Sequence, residues 1–171
     1  MGKNISLLKE TTLFQNLSDD KIAKILNICR EVRFPKDTVI MKEGDCGDTM
    51  YIIIDGTVEV LKTLVLEGID IEEDENIQNK VFTKLSSEHH AVFGEISLLE
   101  NSKRTATVTA LSDCVFYEIN RNDFIRLADN DPELGYRVLF NIAKIVCSRL
   151  RKADEDVIKL TTVLSIVLKE A

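Results

Sequence analysis

Tryptophan is absent from this 171-residue chain, and histidine and proline each occur only twice. A metal-dependent barrel enzyme would need several inward-facing His and carboxylate ligands. His89 and His90 are adjacent, so on a strand they point to opposite faces. No metal site is therefore assigned. Cysteine is also scarce: Cys29, Cys46, Cys114 and Cys147 stand far apart, with no C-x-x-C spacing. They read as reduced thiols of a cytoplasmic protein rather than a disulfide frame. None has a recognisable partner base, which removes thiol catalysis. No run approaches the roughly 20 apolar residues of a membrane span. Residues 1–10 lack the apolar core of a secretory signal. Met1-Gly2 with Ser6 fits the N-myristoylation pattern, which is short enough to arise by chance. Positive charge is in deficit: Lys plus Arg is 22, Asp plus Glu is 29, and the net charge is −7. That argues against non-specific nucleic-acid binding.

What remains is an ordinary globular mixture, 44% apolar and 30% charged, of about one domain's length. The first 30 residues read as helical. Ser18 is placed to cap a helix carrying Asp19 and Asp20 in its first turn, followed by Ile22, Ile25, Leu26 and Cys29 at helical spacing. From Val32 to Ile119 the pattern changes to short strands and turns. Strands are expected at 39–41, 50–54, 57–65, 105–111 and 115–119, with Asp55-Gly56 as a hairpin turn. The acidic stretch from Glu67 to Glu75 lacks the mid-loop Gly and closing Glu of a calcium loop, and reads as a solvated tip. Residues 122–128 form a short helix, and Pro132 suits the first position of a longer one.

That last helix carries an apolar seam. Leu150, Val157 and Leu164 are seven apart, as are Ala153, Leu160 and Val167, with Tyr136, Leu139, Ala143 and Val146 extending the register backward. Unbroken, such a helix would be about 55 Å long at 1.5 Å per residue, more than the width of the domain. It must kink, or project and pair with a second copy. The expected division is a β-barrel domain with N-terminal helices over residues 1–130 and a C-terminal helical segment over 131–171.

The chemistry-bearing segment is Phe93-Gly94-Glu95-Ile96-Ser97-Leu98-Leu99, followed by Lys103-Arg104-Thr105-Ala106-Thr107. Gly94 allows close backbone approach. Glu95 opens one helical turn whose N–H groups at Ile96, Ser97 and Leu98 would be free for an anion. Arg104 presents a planar fork suited to two phosphate oxygens, and Thr105 adds a hydroxyl. Glu95 is an acceptor for a sugar hydroxyl. Together these groups describe a sugar-phosphate pocket. The plain alternative is a Glu95–Arg104 surface ion pair, worth about 0–1 kcal/mol.

The segment resembles the phosphate-binding cassette of cyclic nucleotide-binding domains. These occur in catabolite activator protein, in regulatory subunits of cAMP-dependent protein kinase and in cyclic nucleotide-gated channels. The resemblance runs from about residue 7 to 130 and includes Phe34-Pro35-Lys36 and the stretch from Glu43 to Val60. It implies a mainly β fold, a jelly-roll barrel flanked by N-terminal helices and a long C-terminal helix. It implies that Glu95 holds the ribose 2′-OH and Arg104 the cyclic phosphate, with Gly94, Ser97 and Thr105 in support. Arg151 and Asp154 fall in the helix zone that would cover the base. Thr105 is a weak cue for cGMP, while the bacterial style of the architecture leans to cAMP.

Three departures stand out. Residues 85–90 replace the usual Gly-rich turn, the acidic hairpin is long, and no DNA-reading helix-turn-helix follows the last helix. The expected protein is a cytoplasmic cyclic-nucleotide sensor rather than an enzyme, a homodimer through its C-terminal helix, without direct DNA or membrane binding. Its rivals are a ligand-free dimerisation module and a haem-type gas sensor. The latter needs an axial His or Cys in the barrel, and retention of both Glu95 and Arg104 argues against it.

Overall fold

The structure, a computed structural model, describes residues 5–63, 79–87, 91–100 and 102–170. The acidic stretch at 67–75, His89 with His90, and the first four residues lie outside the described residues.

The chain opens with α1 (Ile5–Leu8), a 3-10 turn (Thr12–Phe14) and α2 (Asp19–Ile28). Ser18 stands at the N-cap of α2, but its hydroxyl makes no capping bond; its carbonyl accepts the Ile22 N–H at 3.0 Å. Asp19 and Asp20 supply the negative charge that the helix start favours.

Eight strands follow among the described residues: β1 (Arg30–Phe34), β2 (Val39–Met41), β3 (Thr49–Asp55), β4 (Thr57–Thr63), β5 (Asn79–Ser86), β6 (Val92–Phe93), β7 (Thr107–Ala110) and β8 (Cys114–Asn120). They form two antiparallel sheets, ordered β1-β8-β3-β6 and β2-β7-β4-β5. This is the expected jelly-roll arrangement. β3 reads as a continuous apolar run because its sheet is covered on both faces. Met50 and Ile52 face the helices, in one core with Leu13, Phe14, Ile22 and Ile119. Tyr51 and Ile53 face the other sheet, packing with Phe93, Val108 and Phe116. The Tyr51 and Phe93 rings stack with centroids 5.1 Å apart, and Phe93 meets Phe116 edge-on at 5.5 Å. Each such buried side chain contributes roughly 1.5–3 kcal/mol.

Asp55-Gly56 turns a corner rather than closing a hairpin, because β3 and β4 belong to different sheets. Gly56 has φ +94°, and a Cβ there would stand 2.6 Å from the Asp113 carbonyl oxygen. A positive φ serves a hairpin and a corner equally well. What decides is tertiary: β4 pairs with β5 on one side and β7 on the other.

A single turn, α3 (Ile96–Leu99), interrupts the strands, and α4 (Arg121–Asn130) follows them. The Asn120 side chain caps α4 by accepting the Asn122 N–H at 2.9 Å. The last helix, α5, runs unbroken from Pro132 to Glu170, 39 residues, or about 58 Å. Asp131 caps it by accepting the Leu134 N–H at 3.2 Å, and Pro132 takes the first helical position. Lys24 of α2 reaches Asp131 at 2.6 Å and Lys21 reaches Glu133 at 2.7 Å. Leu134, Val138 and Ile142 are buried in the helix-side core. Asn141, also buried, donates to the carbonyls of Leu13 and Gln15 at 3.0 and 2.9 Å. The first half of α5 is thus locked to the N-terminal turn. From Cys147 to Lys169 only Ala153 is even half-buried, so the helix projects rather than kinks.

Candidate functional site

β6 delivers the chain to Gly94 and then to α3. Gly94 has φ +73°, and a Cβ on it would stand 2.8 Å from the Thr49 carbonyl oxygen and 2.9 Å from Arg104 Nη1. Only glycine fits both the backbone angle and the space. Glu95 precedes the first residue of α3. Two of the three N–H groups expected to be free are already used. Ser97 donates to the Gly94 carbonyl and Leu98 to that of Glu95, each at 3.1 Å. The start of the turn is therefore less open to an anion than the sequence implies.

Arg104 is 8% exposed. Its Nη1 donates to the Thr49 carbonyl at 2.7 Å and to Ser97 Oγ at 2.8 Å, and its Nη2 to Thr49 Oγ1 at 2.8 Å. Thr49 Oγ1 in turn donates to the Tyr51 hydroxyl at 3.3 Å. A guanidinium carries five N–H donors. These bonds leave the Nε–H and one Nη2–H, the adjacent pair that grips two oxygens of a phosphate. Gly47 keeps that edge clear, since a Cβ there would lie 2.3 Å from Nε. Burial pulls the Arg104 pKa down from its ordinary value, opposed by the nearby Tyr51, Asp48 and Glu118. Among the described residues no carboxylate is paired with Arg104. An arginine stays protonated under these conditions, so a buried cation here lacks a counter-ion. Burial likewise raises the Tyr51 pKa.

Glu95 is 3% exposed. Its Oε1 is ion-paired with Arg149 of α5, whose Nη2 also donates to the Val92 carbonyl at 2.6 Å. Its Oε2 is buried and has no hydrogen-bond partner among the described residues. An unsatisfied buried acceptor costs about 1–3 kcal/mol, more when charged, and marks a place for a donor. Glu95 and Arg104 are thus both buried and each bonded elsewhere, which overturns the surface ion-pair alternative.

The structure brings together Gly94, Glu95, Ser97 and Arg104. Ile96 is half-buried beside them, and Thr105 is exposed in the bend two residues before β7. Arg151 and Asp154 are exposed on α5. At 100° per residue they lie about 200° and 140° round the helix from Arg149. A cleft of about 240 Å³ between the 3-10 turn, β6 and α5 is lined by Leu13, Val92, Lys144 and Arg149; it borders the Glu95 partner but not Arg104. Two contributors escape the sequence reading. Thr49 follows Gly47-Asp48, a turn whose approach to Arg104 is tertiary. Arg149 was detectable only as a basic residue immediately before Leu150 of the seam. Among the described residues no group of three His, Cys, Asp or Glu side chains is placed to hold a metal ion. No helix among them is long and apolar enough to cross a membrane.

A family profile described as "Cyclic nucleotide-binding domain" matches residues 31–131. The chain belongs to the cyclic nucleotide-binding domain family. Members of this family are regulatory sensors, and the cassette, the two sheets and the long helix are all present here. The chain is 28% identical over 155 residues to a cGMP-dependent protein kinase of Drosophila melanogaster, covering 91% of this chain and 13% of that one. It is 32% identical over 133 residues to the cAMP-dependent protein kinase regulatory subunit of Candida albicans, covering 72% and 25%. The crystal structure of Thermus thermophilus catabolite activator protein superposes with a TM-score of 0.71 at 26% identity, covering 88% of this chain and 63% of that one. This cyclic nucleotide-binding domain family member spans less than two thirds of each of these relatives.

Proposed function

We propose that this chain binds a cyclic nucleotide, cAMP in preference to cGMP, and converts occupancy into the position of α5. One observation carries the reading. Two buried opposite charges, Glu95 and Arg104, do not pair with each other, and each keeps hydrogen-bonding capacity unused. The open edge of Arg104 takes two oxygens of the cyclic phosphate. The unpartnered Oε2 of Glu95 accepts the ribose 2′-OH. Gly94, Ser97 and Thr105 support these contacts, Ser97 by holding Arg104 in place.

Coupling to α5 follows from Arg149. Glu95 is the group that meets the sugar and also the group that holds this helix through Arg149. A ligand on Glu95 changes the balance of that tie, and it shifts the helix by as much as its affinity differs between the two positions. The exposed seam, including Leu139, Leu150, Val157, Leu160 and Leu164, is the surface through which a second copy reads the shift. The preference for cAMP is supported by the name of the Candida relative, a regulatory subunit of cAMP-dependent protein kinase. The Drosophila relative is a cGMP-dependent kinase, and Thr105 leans the same way. Calorimetric competition between cAMP and cGMP on nucleotide-stripped protein tests the reading. Tighter cAMP binding is expected. Tighter cGMP binding reverses the preference, and heat from neither removes the sensor.

A further inference from the structure

The two faces of α5 meet at Arg149. Leu134, Val138, Ile142 and the half-buried Ile145 point into the protein, and Arg149 continues that row to Glu95 and the Val92 carbonyl. The exposed apolar seam starts at Tyr136 and Leu139 and ends at Leu164 and Val167. With Leu150, Val157 and Leu164 at a and Ala153, Leu160 and Val167 at d, Arg149 falls at g. Asp154 falls at e, five residues on. In a parallel two-stranded coil, g of one helix lies beside e of the following heptad in the other, and opposite charges there pair. The other described g positions between Ile142 and Val163 are Ile142, Asp156 and Val163, and the e positions facing them are Cys147, Thr161 and Leu168. None of these forms an opposite-charge pair, so the register allows a single kind of ion pair across the seam.

Both partners have the capacity. Arg149 spends Nη1 on Glu95 and Nη2 on Val92, and its side chain is 44% exposed, leaving further donors on the solvent side. Asp154 is exposed and has no ion pair among the described residues.

We propose that Arg149 bridges Glu95 of its own chain to Asp154 of a second, parallel copy, so that each ligand site is completed by a carboxylate from its neighbour. The inference rests on the homodimer reading above. It makes dimerisation and ligand binding linked by necessity: whatever strengthens one through Arg149 strengthens the other by the same factor. Two symmetric bridges form per dimer.

Sedimentation equilibrium of the full chain tests this with Asp154→Lys and, as a control, Glu155→Lys. The control makes the same charge change at f, on the outside of the coil. Asp154→Lys replaces two attractions with two repulsions and should weaken the dimer roughly tenfold or more, with Glu155→Lys near wild type. Both substitutions sit on an exposed surface, and an unchanged far-ultraviolet circular dichroism spectrum shows that the fold is intact. A dissociation constant for Asp154→Lys equal to that of Glu155→Lys overturns the bridge while leaving the dimer standing. A monomeric wild-type chain overturns the dimer and the bridge together. In a cycle, Arg149→Ala and Asp154→Ala combined should weaken the dimer no more than the stronger single change; additive losses also overturn the bridge.

Discussion

Arg149 on the last helix closes an ion pair with the buried carboxylate of Glu95, 54 residues earlier in the chain. The carboxylate has a second oxygen facing no protein donor among the described residues. One residue therefore stands between the cassette and the helix, with one oxygen bonded to α5 and the other without a partner among the described residues.

Replacing Glu95 by Gln keeps the shape and an acceptor but removes the charge. The loss of a charge-assisted bond to the 2′-OH should weaken cAMP binding about 5- to 30-fold, or about 1–2 kcal/mol. In wild type, 2′-deoxy-cAMP should show a similar loss. In Glu95→Gln the deoxy compound should bind nearly as well as cAMP. Equal discrimination in both proteins would move the ribose contact elsewhere.

Arg149→Ala strands Glu95 without its partner in a buried position. Denaturant unfolding should show a loss of about 1–3 kcal/mol in the wild-type background. In the Glu95→Gln background the same change should cost distinctly less, because no buried charge is left unpaired. Identical costs in the two backgrounds would mean that the pair does not hold α5.

Acid should loosen the start of α5. A hydrogen bond from Lys24, then the Leu134 N–H, holds the Asp131 carboxyl below its ordinary 3.8, and Lys21 holds Glu133 below 4.5. Folded values below unfolded ones mean that this contribution is complete above about pH 4.5 and is lost as pH falls through the depressed values. Lys24→Ala should lower the melting temperature at pH 7 and make its fall below pH 4 shallower. An unchanged acid profile would remove Lys24 from the account.

Much of the fold was legible because its signals are local. Pro132 marks a helix start by its own chemistry, and β3 announces a strand by its apolar, β-branched run. The cassette was legible for the same reason: Gly94, Glu95, Ser97 and Arg104 lie within eleven residues and meet through one turn and one strand entry. Gly56 was misread because its positive φ fits two kinds of turn, and only the pairing of β4 decides between them. Ser18 reached the N-cap position without forming the cap bond. Arg149 and Thr49 were invisible because each reaches the site across more than 50 residues of sequence. No spacing rule encodes that distance.

The most direct measurement is a calorimetric titration of nucleotide-stripped wild type, Arg104→Lys and Arg104→Ala with cAMP. Wild type should bind at micromolar concentration or tighter. Arg104→Lys keeps the charge but loses the fork, and Arg104→Ala loses both, so affinity should fall in that order. The alanine variant should lose on the order of a hundredfold, about 3 kcal/mol for two charge-assisted bonds. Wild-type affinity in a folded Arg104→Ala protein would contradict the account, because the phosphate would then be held by something else.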